Sequence, residues 1–98
     1  MNVQADVSVY STDYCPYCHR AKALLESKGA RYAEINCEER PDLRAWLVEA
    51  TQQRTVPQVF INGQPVGGFS DIAELDRRGE LERLLSVAPS PRDPEVRR

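Results

Sequence analysis

Apolar Val3, Ala5, Val7 and Val9 alternate with polar Gln4, Asp6 and Ser8, the period of two that predicts a β-strand. After the polar run Ser11-Thr12-Asp13 the period changes: Tyr17, Cys18, Ala21, Leu24 and Leu25 recur at helical spacing up to Gly29. Pro16 suits the first helical position, where its missing N–H goes unneeded. Gly29 suits the left-handed residue that follows a last turn. Tyr32 to Ile35 reads as a second, short strand. The 33 residues from Val3 to Ile35 are the size of one βαβ unit. A crossover of that kind is right-handed and sets its two strands parallel.

Pro41 opens a second helix over Asp42 to Ala50, with Leu43, Trp46, Leu47 and Ala50 on one face and Trp46 expected as a core anchor. Gln58-Val59-Phe60-Ile61 is a third strand. Asn62-Gly63 is a strong hairpin signal, because both residues tolerate positive φ. Pro65-Val66 forms the expected return strand, and its proline belongs at a sheet edge. Gly67-Gly68 break that strand, and Ser70 is expected to cap a helix through Ile72 and Leu75. Gly79 hinges a last helix carrying Leu81, Leu84 and Leu85. From Ala88 to Arg98 come three prolines and one large apolar residue, Val96. Residues 88–98 are therefore expected to be a disordered tail on a single domain, 1–87.

The balance of residue types narrows the function classes. Of 98 residues, 41% are hydrophobic, too many for a chain disordered throughout. Thirteen basic against fifteen acidic side chains give net −2, so no nucleic-acid partner is expected. No apolar run approaches the ~18 residues of a membrane span. Met1 to Tyr10 holds neither a cationic segment nor an unbroken apolar stretch, so no signal peptide is expected and the protein is placed in the cytoplasm. Three cysteines are few, and odd in number, for a secreted disulfide scaffold.

Two of the cysteines form Cys15-Pro16-Tyr17-Cys18, just after a predicted strand and at the start of a predicted helix. A thiol there faces unpaired N–H groups and the positive end of the helix dipole, both of which favour the thiolate. Such placement lowers a cysteine pKa from about 8.5 into a range of roughly 3.5–7.5. Cys15 receives most of this field, and Cys18, one turn further in, should be more buried and less ionised. Four readings of the pair stand side by side. Two inert core thiols are the plainest. A zinc site would add Cys37 and His19, but the second close pair usual in zinc knuckles is missing. Cys15-Pro16-Tyr17-Cys18-His19 also fits the C-x-x-C-H pattern of covalent haem, although the only methionine is Met1. The fourth reading, thiol–disulfide exchange in a βαβ context, agrees best with the placement.

From about Val3 to Leu85 the chain resembles the dithiol glutaredoxins of the bacterial type. Four segments carry the resemblance: Cys15-Pro-Tyr-Cys-His-Arg-Ala-Lys22, Thr55-Val-Pro-Gln-Val-Phe-Ile-Asn-Gly63, Gly67-Gly-Phe-Ser-Asp71, and the helical pair around Leu75, Gly79, Leu81 and Leu84. The resemblance implies an α/β thioredoxin fold, a four-stranded mixed sheet flanked by helices, with a cis Val56–Pro57 bond. It implies an enzyme that reduces protein disulfides and glutathione mixed disulfides, Cys15 attacking and Cys18 resolving. Glutathione is then the reductant and no cofactor or metal is bound permanently. The implied partners are glutathione and disulfide-bonded or glutathionylated proteins, met by a monomer.

The resemblance also implies a glutathione groove beside the cysteines. Thr55, Val56 and Pro57 offer it backbone, in the manner of a strand added to a sheet edge. Ser70 and Asp71 take the γ-glutamyl end at a helix N-terminus, with Gly68, Phe69 and Tyr17 alongside. Gln53 and Arg54 are placed to meet the glycyl carboxylate. One departure is Thr12, where many glutaredoxins carry a lysine that holds this carboxylate and stabilises the thiolate. Arg20, Lys22 or Arg54 is then left to supply the cation. Cys37 reads as an ordinary thiol and His19 as an exposed helix residue. Two alternatives remain: a redoxin reduced by thioredoxin reductase, and a dimer holding an iron–sulfur cluster through Cys15, against which Pro16 argues.

Overall fold

A computed structural model describes residues 3–89 of the chain. In order these form β1 (Val7–Ser11), α1 (Pro16–Ser27), β2 (Ala33–Asn36), α2 (Pro41–Thr51), β3 (Gln58–Ile61), β4 (Gln64–Gly67), α3 (Phe69–Arg77) and α4 (Glu80–Leu85). The strands make one sheet in the order β2-β1-β3-β4. β1 and β2 are parallel and joined through α1, the predicted βαβ unit. β3 runs antiparallel to β1, and β4 antiparallel to β3. This four-stranded mixed sheet flanked by helices is the thioredoxin fold that the resemblance implied.

Period two explains the two cores. On β1 and β3, Val7, Val9, Val59 and Ile61 point to one face and meet Ala21 and Leu25 of α1, Ile72 of α3, and Leu81 and Leu85 of α4. Phe60, one residue out of phase, points to the other face, where it packs with Leu47 of α2 and Cys37. At the hairpin, Asn62 (φ 53°) and Gly63 (φ 80°) both adopt the positive φ their residue types permit. Pro65 lies on the edge strand, as predicted.

Three expectations need correction. The alternation from Val3 does not begin the strand, which starts at Val7. Its partner β3 ends at Ile61, paired with Val7, so residues 3–5 have nothing to pair with in the sheet. The N–H groups of Gln4 and Ala5 donate instead to the Leu85 carbonyl, at 2.9 and 3.0 Å. Second, Ser70 is not the cap of α3. The helix starts at Phe69, Gly68 is the capping residue, and the Asp71 carboxylate accepts from the Gly68 N–H at 2.9 Å. An acidic side chain at the third helical position does the work expected of a hydroxyl at the cap. Third, Trp46 is 46% exposed. It stacks on Phe60 and leans on Tyr10, both with ring centroids at 5.7 Å, covering the second core from outside instead of filling it. Of the predicted tail, residues 90–98 lie outside the described part of the chain.

Candidate active site

Cys15 sits at the junction of the β1–α1 loop with α1. Its backbone is extended (φ −139°, ψ 98°), and its Sγ accepts from the Cys18 N–H at 3.1 Å. Pro16 follows at the first helical position, so the cap is built by the sequence order alone. Cys15 and Cys18 are joined as a disulfide, with their Cα atoms 5.1 Å apart. Cys15 is 9% exposed and Cys18 1%, the expected asymmetry. The loop before Cys15 is braced by the last residue of β2 and the loop that follows it. Asn36 Nδ2 donates to Asp13 Oδ1 at 2.6 Å, and the Asp13 N–H to Glu38 Oε1 at 3.1 Å.

A cavity of about 550 Å³ opens beside this cap. One wall is Gln53, Thr55, Val56 and Pro57, and the opposite wall is Gly68, Phe69, Ser70 and Asp71, with Tyr17 at one side. The Val56–Pro57 bond is cis, as implied, and the Val56 carbonyl oxygen lies 3.7 Å from Cys15 Sγ. The Tyr17 and Phe69 rings approach to 6.2 Å between centroids. Gly67 holds φ at +110°, and a Cβ there would run into the Asp71 carboxylate, so the turn into α3 needs glycine.

The structure brings together every residue expected in the groove except Arg54, which does not line it. Arg54 is exposed, and its carbonyl accepts from Arg44 Nη2 at 3.2 Å. Of the three candidate cations, Lys22 is committed elsewhere, to Glu34 at 2.7 Å. Arg20 does not line the cavity itself, but its guanidinium lies 5.3 Å from the centroid of the Tyr17 ring, which does.

The family model for glutaredoxin matches residues 7–66. The chain belongs to the glutaredoxin family. It is 48% identical over 81 residues to the glutaredoxin of Pseudomonas aeruginosa, covering 83% of this chain and 96% of that one. It is 44% identical over 81 residues to glutaredoxin 3 of Escherichia coli, covering 83% and 98%. Among solved structures it is similar to glutaredoxin from Brucella melitensis, with a TM-score of 0.78 at 44% identity, covering 87% of this chain and 92% of that one. A buckwheat glutaredoxin–glutathione complex gives a TM-score of 0.78 at 40% identity, with coverage of 84% and 77%. Glutaredoxins are thiol–disulfide oxidoreductases, and the Cys15–Cys18 pair at a helix N-terminus fits a dithiol glutaredoxin site.

The remaining candidates of the glutaredoxin sequence fall outside this site. His19 is exposed on α1. Cys37 is fully buried; its thiol donates to the Ser11 carbonyl at 3.2 Å, and burial pushes its pKa up. Among the described residues, no three His, Cys, Asp or Glu side chains are grouped as metal ligands, and no helix is long and apolar enough to cross a membrane. Sequence reasoning overlooked Arg20 as a neighbour of Tyr17, although i,i+3 spacing brings the two onto one face. It also passed over Gln58, a polar residue opening a strand whose four side chains are all buried.

Proposed function

We propose that this glutaredoxin is a glutathione-dependent reductase of protein disulfides and glutathione mixed disulfides. The observation that carries the reading is the cavity itself. Its lining pairs the backbone of Thr55, Val56 and Pro57, with the Val56 carbonyl 3.7 Å from Cys15 Sγ, with an acidic helix start at Ser70 and Asp71, which suits a tripeptide with a charged amine and two carboxylates. The Cys15 thiolate attacks one sulfur of the substrate disulfide, and the other leaves as a thiolate. With a protein disulfide, Cys18 then displaces the substrate from Cys15, and the pair closes as a disulfide. Two glutathione molecules return it to the dithiol and leave as glutathione disulfide. With a glutathionylated protein, Cys15 takes up the glutathionyl group, the protein thiol leaves, and a second glutathione regenerates Cys15.

Several features support this division of labour. The Cys18 N–H already donates to Cys15 Sγ, an arrangement that favours a thiolate at Cys15 over one at buried Cys18. Thr55, Val56 and Pro57 offer backbone to the cysteinyl part of glutathione. Gly68, Phe69, Ser70 and Asp71 offer a helix N-terminus and a carboxylate to its γ-glutamyl end. Gln53 offers its side-chain amide to the glycyl carboxylate, and Arg20, over the Tyr17 ring, supplies the cation that Thr12 does not.

The test is coupled turnover of a glutathionylated peptide. Glutathione with glutathione reductase should sustain turnover, and thioredoxin reductase alone should not. Turnover with thioredoxin reductase and none with glutathione would overturn the reading.

A further inference from the structure

Gln58 is the first residue of β3, paired through its backbone with Tyr10 of β1 and directly following Pro57. Its side chain is fully buried, where an amide is rare unless its hydrogen bonds are made. Both amide hydrogens are used. Nε2 donates to Gln53 Oε1 and to the Thr55 carbonyl, each at 2.9 Å. The amide oxygen, by contrast, has neither a hydrogen-bond partner nor contact with solvent. Rotating the amide by half a turn would set its oxygen against the Thr55 carbonyl, oxygen facing oxygen. The orientation is thus dictated by the loop, and the stranded oxygen is what that orientation costs.

Gln53 and Thr55 both line the groove beside Cys15. They belong to a segment, residues 52–57, that carries neither helix nor strand and so lacks ladder bonds of its own to fix it. Gln58, anchored in the sheet, reaches back across Pro57 and ties that segment at two points. We infer that Gln58 is a positioning residue. It holds the Gln53–Thr55 wall at the spacing bound glutathione needs, and touches neither glutathione nor the reacting sulfurs. The inference rests on the proposed use of glutathione.

The experiment compares wild type with Gln58→Leu, which keeps the bulk and removes both the donors and the stranded oxygen, and with Gln58→Glu, which keeps the shape and leaves at most one donor for the two acceptors. Three quantities are measured: the KM for a glutathionylated peptide, the rate at which iodoacetamide alkylates reduced Cys15, and the Tm. The expected result is a KM raised about fivefold or more in both variants, with alkylation within about twofold of wild type. If KM stays within about twofold of wild type while Tm changes, Gln58 is only a core residue and the inference is overturned. The same holds if alkylation slows as much as KM rises, since the effect then reaches Cys15 itself. Wild type is also assayed with the same peptide carrying cysteine in place of glutathione. Equal KM values for the two peptides would remove the glutathione reading, and the inference with it.

Discussion

The chemistry of a single residue, Cys15, rests on what surrounds one sulfur. The Cys18 N–H donates to it, and the start of α1 adds a positive partial charge. Thr12 brings no cation, while the Asp13 and Glu38 carboxylates brace the loop just before it. The helix terminus therefore has to stabilise the thiolate without help from that side. In the reduced protein with Cys18 and Cys37 replaced by serine, the Cys15 pKa should lie well below the roughly 8.5 of a free cysteine. Thr12→Lys should lower it further by only a fraction of a unit, since a single exposed charge is weakly coupled. Thiolate absorbance against pH measures both, and a Cys15 pKa at or above that of a free thiol would contradict the assignment. At this scale the sequence was informative where chemistry follows from position, as with Cys15 beside Pro16. It misled where a side chain's direction depends on distant elements. Arg54 is adjacent to the groove in sequence yet outside it in space, and Trp46 lies on the apolar face of its helix yet half in solvent.

Between elements, Glu34 of β2 ties α1 to β1 and β2 at the protein surface. Its carboxylate accepts from Lys22 of α1 at 2.7 Å and from the Ser11 hydroxyl of β1 at 2.9 Å. Lys22 first, and Ser11 second, hold its pKa below the ordinary carboxyl value of 4.5. A depressed folded-state pKa means that the folded form binds this proton less tightly than the unfolded chain does. The stabilisation is therefore present above 4.5 and is lost as the pH falls through the lowered value. Urea unfolding midpoints of wild type and Glu34→Gln, measured from pH 7 downwards, should differ at neutral pH and converge in acid. A gap that does not change with pH would mean the tie contributes nothing. Element order, the βαβ unit and the hairpin were all legible, because period two, period 3.6 and Asn-Gly are local signals. The start of β1 was not, because where a strand ends is decided by its partner. Nor was the cap of α3, where Ser70 carries the stronger local signal and the geometry of Gly67-Gly68 prevails.

At the scale of the whole molecule, the fold brings three separated stretches of chain to one place. The start of α1 supplies the cysteines, the turn before β3 supplies one wall, and the start of α3 supplies the other. No local pattern in the sequence reveals that convergence; it became legible through the resemblance of four segments to one family. The clamp from Gln58 was invisible even so, because a buried glutamine opening a strand has no local signature of what it holds. Within that site, we propose, Cys15 is the attacking sulfur and Cys18 the resolving one, with glutathione as the reductant. The most direct measurement is the activity of Cys18→Ser on two substrates in the presence of glutathione. The variant should keep most of its activity on a glutathionylated peptide, which needs Cys15 alone, and lose reduction of a protein disulfide, which needs both cysteines. Equal loss of the two activities, or activity surviving in Cys15→Ser, would contradict the account.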